Sequence, residues 1–245
     1  MLPGYRRRIL IEPAAGHVTA ELEDDYHRML VTLRHENGLV TGVTSFMKRS
    51  PWTSCPGAIA QLEQTFTGQP LAAFAARGEK TRNCTHLYDL AQFAAAHANA
   101  DSPVAYDIHV CDPDLGLRVA SLDRNGKRLF DWTLDANGFV APHEIAGKSV
   151  YDINGWIATL DSPDREAARI LRWASMVANG RQMDIPAHSL ADRFPLGTCF
   201  TFQPDVAANS RRRPDADVDL SAPGMEPMAD RAGSFKFSLP DAQYR

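Results

Sequence analysis

The chain has 245 residues, 26 Lys+Arg against 30 Asp+Glu for a formal net charge of −4, and 44% hydrophobic and 23% charged residues. That composition belongs to a folded protein with a sizeable core and excludes general disorder, collagen and coiled coil. The charge balance gives no general reason to bind nucleic acid or an anionic membrane, and no stretch approaches the ~18 apolar residues of a bilayer-spanning helix.

Near the start, Arg6-Arg7-Arg8 is followed only by Ile9-Leu10-Ile11 before Glu12-Pro13. This apolar run is too short for a secretory signal, so a cytoplasmic protein is expected. His17 to Leu22 reads as a strand. Tyr26 to Leu33 is the clearest strand, with His27, Met29, Val31 and Leu33 on one face at a period of two. Asn37-Gly38 then predicts a type I′ turn, because both residues tolerate positive φ, and Leu39 to Met47 returns as its partner strand.

The segment Pro51-Trp52-Thr53-Ser54-Cys55-Pro56 breaks the β pattern, and Pro56 suits the first turn of a helix bearing Ile59, Leu62 and Phe66. Gly68 and Pro70 end it. A basic loop from Arg77 to Asn83 leads to Cys84-Thr85-His86 and a helix to about Asn99, striped by Leu87, Leu90, Ala91, Ala94 and Ala98.

A second meander begins at Val104, with Tyr106, Ile108 and Val110 on one face. Strands Leu117 to Leu122 and Lys127 to Leu134 flank another Asn-Gly turn, Asn125-Gly126. After a break at Pro142 to Gly147, Tyr151 to Leu160 reads as a short helix. A longer helix starts at Ser162-Pro163 and ends at Asn179-Gly180.

The expected class is α+β: antiparallel strands with Asn-Gly hairpins followed by helices, and then the same order again. Residues 1–204 form the domain, as two pseudo-symmetric halves (1–100 and 101–204) or as one irregular unit. Residues 205–245 are polar and rich in Pro, Asp and Arg, and predict an extended arm lying on its own domain or on a second copy in a homo-oligomer.

No GxGxxG, Walker, GxSxG or HExxH pattern is present, so no organic cofactor is expected. The four cysteines, Cys55, Cys84, Cys111 and Cys199, are scattered and have no CxxC pairing, which predicts free thiols. Cys84 and His86 open a helix, where unpaired N–H groups favour a thiolate or another anion and His86 can serve as acid or base; the alternative is that Thr85 or Asn83 caps the helix while Cys84 and His86 pack against the sheet. His27 is a core histidine or a second acid–base group, with Asp24 three residues earlier able to orient its ring. His27, Cys55, Cys84 and His86 together carry a zinc-type donor set, a minor alternative because the spacing matches no standard module. Asp107, His109 and Cys111 share a strand face, which reads equally as its solvated side. Arg181 can hold an anionic oxygen through its planar fork or simply pair with Asp184, and Trp52, Tyr151 and Trp156 are core rings or the walls of an aromatic site.

Three segments carry a resemblance. Asp24-Asp25-Tyr26-His27-Arg28-Met29, Pro51 to Pro56 and Cys84-Thr85-His86-Leu87 resemble, in order, the His-x-Met strand, Pro-to-Cys bend and Gly-Cys-Thr-His-Leu segment of a bacterial family called domain of unknown function 2889. The second half is similar around Trp132, Ala146-Gly147 and Cys199-Phe200-Thr201-Phe202-Gln203-Pro204, and the likeness runs to about Pro204. Asn83 departs from it, standing where the family commonly has Gly. The resemblance implies a bacterial enzyme of aromatic or acyl-compound catabolism.

Together these readings predict a cofactor-independent lyase acting on a phenolic, lignin-derived small molecule, with His27 and His86 as acid and base. Arg181 or the helix start at Cys84 steadies the anion, and Asp24, Trp52, Cys55, Tyr151, Trp156 and Asp184 line the substrate site. Two alternatives accompany it: a thioesterase or acyl-transfer enzyme with Cys84 as nucleophile, and a noncatalytic aromatic-ligand-binding protein.

Overall fold

The computed structural model describes residues 2–231. Its strands are β1 (Gly4–Ala14), β2 (His17–Asp24), β3 (Arg28–Glu36), β4 (Leu39–Arg49), β5 (Val104–Cys111), β6 (Arg118–Arg124), β7 (Lys127–Asp135) and β8 (Gly138–Ala141). The helices are α1 (Ala58–Phe66), α2 (Thr85–Ala96), α3 (Asn154–Thr159), α4 (Ser162–Val177) and α5 (Pro204–Ala207). The eight strands are hydrogen-bonded in the order β4-β3-β2-β1-β5-β6-β7-β8 as an antiparallel sheet. The class is therefore α+β.

Both Asn-Gly turns form as their chemistry requires. Asn37 and Gly38 sit at φ 50° and 78°, and Asn125 and Gly126 at 50° and 75°. Positive φ at both central residues is the type I′ geometry, whose twist matches that of the flanking strands.

The chain divides into two compact units that do not follow a simple cut. Among the described residues, one comprises 2–8, 105–184 and 219–229, and the other comprises 9–104, 185–218 and 230–231. One change of unit falls at 104–105, β1 contributes to both units, and residues 185–218 return to the unit that holds 9–104.

In the N-terminal unit, α1 packs on β4, and α2 packs on β2 and β3. Phe66 stacks on Phe74 with ring centroids 4.2 Å apart, and Tyr88 lies 5.0 Å from Phe66. Residues Met29 to Leu33 of β3 are all buried, so both faces of this strand are covered. Its polar member is satisfied: Thr32 Oγ1 is 2.9 Å from Thr19 Oγ1 on β2. His27 itself precedes β3, which starts at Arg28.

Residues 205–218 of the expected arm fold back on this unit. Arg212 bridges to Trp52 and Arg211 to Leu190, while Val218 N donates to Asp25 O at 2.8 Å. Arg212 is buried, where it pairs with Asp217 and lies 5.8 Å from the rings of both Tyr26 and Trp52. The Arg211-Arg212-Arg213 run is therefore partly a packing element. Residues 232–245 lie outside the described residues.

In the other unit, α4 packs on β6 and β7. Trp132 is fully buried among Phe130, Phe139 and Trp156. Arg7 is 1% exposed with its guanidinium 4.0 Å from the Trp173 ring, and Arg8 pairs with Asp107 at 2.6 Å. These contacts make the basic N-terminus a strand. The helix expected from Tyr151 is only α3, six residues long. The longer helix starts at Ser162, with Asp161 in the N-cap position but making no side-chain capping bond.

Gly4 supplies a stability prediction. A Cβ there would sit 2.5 Å from Val110 O and 2.7 Å from Cys111 Cα, both backbone atoms that cannot swing aside. Gly4→Ala is expected to destabilise the protein by about 1–3 kcal/mol. An unchanged urea midpoint would show that β1 and β5 can separate freely here.

Candidate functional site

The turn between β2 and β3 is built around one carboxylate. Asp24 Oδ1 accepts hydrogen bonds from Tyr26 N and His27 N, both at 2.8 Å, and Asp24 N donates to His27 O at 2.8 Å. This is the local side-chain-to-backbone bonding for which Asp is favoured at turns. The same oxygen lies 3.0 Å from His27 Nδ1. Asp24 is fully buried and His27 is 7% exposed.

Arg49, at the end of β4, holds the turn from behind. Its guanidinium donates to Asp24 O at 2.6 Å, Asp25 O at 2.7 Å and Ala216 O at 3.1 Å, and pairs with Glu23 at 3.2 Å. The sequence carries no signal for this role, because Arg49 reads as an ordinary charge at a strand end. Its planar fork reaches several carbonyls at once, a geometry that a lysine ammonium does not reproduce.

His86 arrives from the first turn of α2. Its ring stacks on His27 with centroids 3.8 Å apart and planes at 28°. Two histidines 59 positions apart in the numbering thereby meet, with Asp24 behind one of them. Asp24, His27 and His86 each offer a ligand atom within 4.8 Å of the others, and among the described residues they are the one group of this kind. Neither Cys55 nor Cys84 joins that group, so the four residues of the expected zinc set do not assemble as one cluster.

The four cysteines are free, and burial decides between the two readings of Cys84. Cys84 is the N-cap residue of α2, and the backbone amides of Leu87 and His86 do favour its thiolate. Burial opposes them and wins, pushing the thiol far above its usual range, with Cys55 and Cys199 nearby adding to the rise. Cys55 is raised by burial too, despite its contact with Thr201 Oγ1 at 3.4 Å, and Cys199 is pushed up to about 11. A helix start activates a thiol only where solvent or a cation helps carry the charge, and here desolvation is larger.

These thiols contribute to the loss of stability at alkaline pH. An acid whose folded pKa is raised keeps its proton in the native state while the unfolded chain loses it. Stability is therefore intact below the unfolded thiol pKa of about 8.5 and falls above it, by up to ~1.4 kcal/mol per pH unit for each thiol. Cys84→Ala is expected to flatten the decline of the urea midpoint between about pH 8.5 and 10. A limb of unchanged slope would mean that the Cys84 thiol ionises in the folded protein.

Asn83 is also fully buried, and its Nδ2 donates to Glu79 O at 3.0 Å and to Thr65 Oγ1 at 3.2 Å. Its carbonyl accepts from Phe200 N at 2.9 Å, which brings Cys199 beside the Cys84 segment. Its φ of −98° does not need glycine, so the departure from the Gly-Cys-Thr-His-Leu pattern is accommodated without backbone strain.

Trp52 is 5% exposed and packs edge-on against Phe194 and Phe202, a core position. Arg181 belongs to the other unit, where Asp112 holds it through two bonds of 2.8 and 2.9 Å and Asp219 takes a third at 3.2 Å. The partner expected for it, Asp184, is exposed. Tyr151 is 60% exposed, and Trp156 packs against Phe130 and Trp132 in that same unit. No helix among the described residues is long and apolar enough to cross a membrane. No protein-family model matches this chain, and a search of curated proteins found no match.

Proposed function

We propose that this protein is a small-molecule lyase that uses His27 and His86 as an acid–base pair on a phenolic aromatic compound and works without an organic cofactor. The observation that carries the reading is the stacked contact of the two rings with buried Asp24 against Nδ1 of His27. With the Asp24 carboxylate accepting the Nδ1 proton, His27 presents the lone pair of Nε2 as the base. The fixed turn holds that ring without any reorganisation during reaction. His86, half-buried on the first turn of α2, is the partner that supplies or receives the second proton.

The chemistry needs little more. Removal of the phenol proton pushes electrons through the ring and expels a benzylic oxygen leaving group, giving a quinone methide. Removal of the proton from a side-chain hydroxyl then breaks the adjacent C–C bond. Formaldehyde departs, and the bonding pair restores the aromatic phenolate and leaves a conjugated alkene. The enzyme supplies proton transfer and orientation, while the substrate supplies the electron sink.

Arg181 is not part of this scheme. Cys84 is left out as well, because a buried, protonated thiol is the opposite of what an attacking group needs. Incubation with lignin-derived phenols bearing a primary side-chain alcohol is expected to yield formaldehyde and alkene in equal amounts, and Cys84→Ser is expected to retain turnover. Stoichiometric binding of such phenols without product would instead identify a binding protein and overturn the lyase reading. Loss of turnover in Cys84→Ser with survival in His27→Ala would establish the thiol mechanism. We infer further that the enzyme works in the cytoplasm, that its two units derive from one repeated α+β half, and that the C-terminal arm supports a homo-oligomer.

A further inference from the structure

The Asp24–His27–His86 cluster has a second chemical property. Two imidazole nitrogens and one carboxylate oxygen are a donor set typical of borderline divalent transition metals, whereas magnesium and calcium favour oxygen alone. Surface carboxylates often lie near a histidine without consequence. This carboxylate is fully buried, and its histidine partner is 7% exposed. The three ligand atoms lie within 4.8 Å of one another. Around tetrahedral zinc, ligand atoms stand about 3.4 Å apart, from metal–ligand bonds of ~2.0–2.1 Å. Closing the difference requires movement at His86, which is the half-buried member on its own helix turn. The Asp24 end is held by Arg49 and by the turn amides, so one side of the site is already rigid.

We propose that Asp24, His27 and His86 form a regulatory site for a zinc-type divalent cation, and that the bound cation inhibits proton transfer. This rests on the acid–base reading above: a cation between Asp24 and His27 Nδ1 takes the Nδ1 lone pair and leaves the ring proton on Nε2, so the Nε2 lone pair that the lyase needs is lost. Three protein ligands leave coordination open to water or to a substrate oxygen.

The test uses the full chain stripped with a chelator and then titrated with zinc chloride or cobalt(II) chloride. We expect one equivalent per chain, a visible d–d absorption with cobalt, and no displacement by millimolar magnesium. Formaldehyde production should fall in step with occupancy and return on chelation. His86→Gln should weaken cobalt binding at least tenfold, while Cys84→Ser should leave stoichiometry and spectrum unchanged. His86 is half-buried, and His27→Gln provides a second ligand variant if His86→Gln does not fold. Absence of binding at 100 μM cation, or binding indifferent to both histidine variants, would overturn the metal site and leave the acid–base reading standing. Activation rather than inhibition by stoichiometric zinc would overturn the inhibitory role and the metal-free lyase together.

Discussion

His27→Ala is expected to lower turnover of a phenolic substrate by about 10²–10⁴-fold, the usual contribution of a positioned general base. The loss should fall on kcat more than on KM, because an imidazole that moves protons acts in the transition state and adds little to ground-state affinity. Substitution at Asp24 separates chemistry from architecture. Asp24→Asn keeps a carbonyl oxygen that can accept from the amides of Tyr26 and His27, so the turn should persist while the charge behind Nδ1 disappears. The expected result is a near-native circular dichroism spectrum with kcat down by roughly 10–10²-fold, as befits a positioning residue. Asp24→Ala strands those two amides and the ring N–H at a site with no solvent exposure. That variant is expected to lose about 2–5 kcal/mol of stability as well. Full turnover in His27→Ala would remove His27 from the mechanism.

The contrast between these residues shows where sequence reasoning reaches and where it stops. Asn37-Gly38 and Asn125-Gly126 specify their turns locally, since few residues tolerate positive φ at both positions, and both hairpins form where expected. The stripe of α4 is legible for the same reason: Ala167, Ile170, Leu171 and Ala174 repeat at helical spacing and are all fully buried. The strand β1 is not legible, because nothing local in Arg6-Arg7-Arg8 shows that Trp173 will cover Arg7 and Asp107 will pair with Arg8. Arg212 deceives in the same way.

At the site, Asp24 beside His27 is readable from a spacing of three residues, because the turn closes on itself. The meeting of His27 with His86 is a tertiary event: α2 packs on β2 and β3, and no local signal encodes it. The choice between a reactive and a packed Cys84 is hidden for a related reason. Helix-start electrostatics are visible in sequence, but the depth of burial that overrides them is not.

Trp132→Ala is expected to produce the largest loss of stability among single core substitutions in the C-terminal unit, about 3–5 kcal/mol. Trp132 is the bulkiest fully buried side chain, at the centre of β7, with Phe130, Phe139 and Trp156 at ring distances of 5.8, 5.3 and 6.1 Å. Truncation removes the shared partner of three rings and opens a cavity that flanking strands cannot close without losing their register with β6 and β8. The indole also carries a cost, because its buried Nε1 donor has no acceptor among the described residues. An unpaired buried donor costs about 1–3 kcal/mol, so Trp132→Phe loses contact area but relieves that penalty. The two effects are similar in size and opposite in sign. Trp132→Phe is therefore expected to shift stability by no more than about 1 kcal/mol, far less than the alanine variant. Urea denaturation of both variants decides the matter. A phenylalanine variant as unstable as the alanine one would mean that the indole N–H makes a strong bond after all, and that ring size alone does not explain why a tryptophan occupies the middle of this sheet.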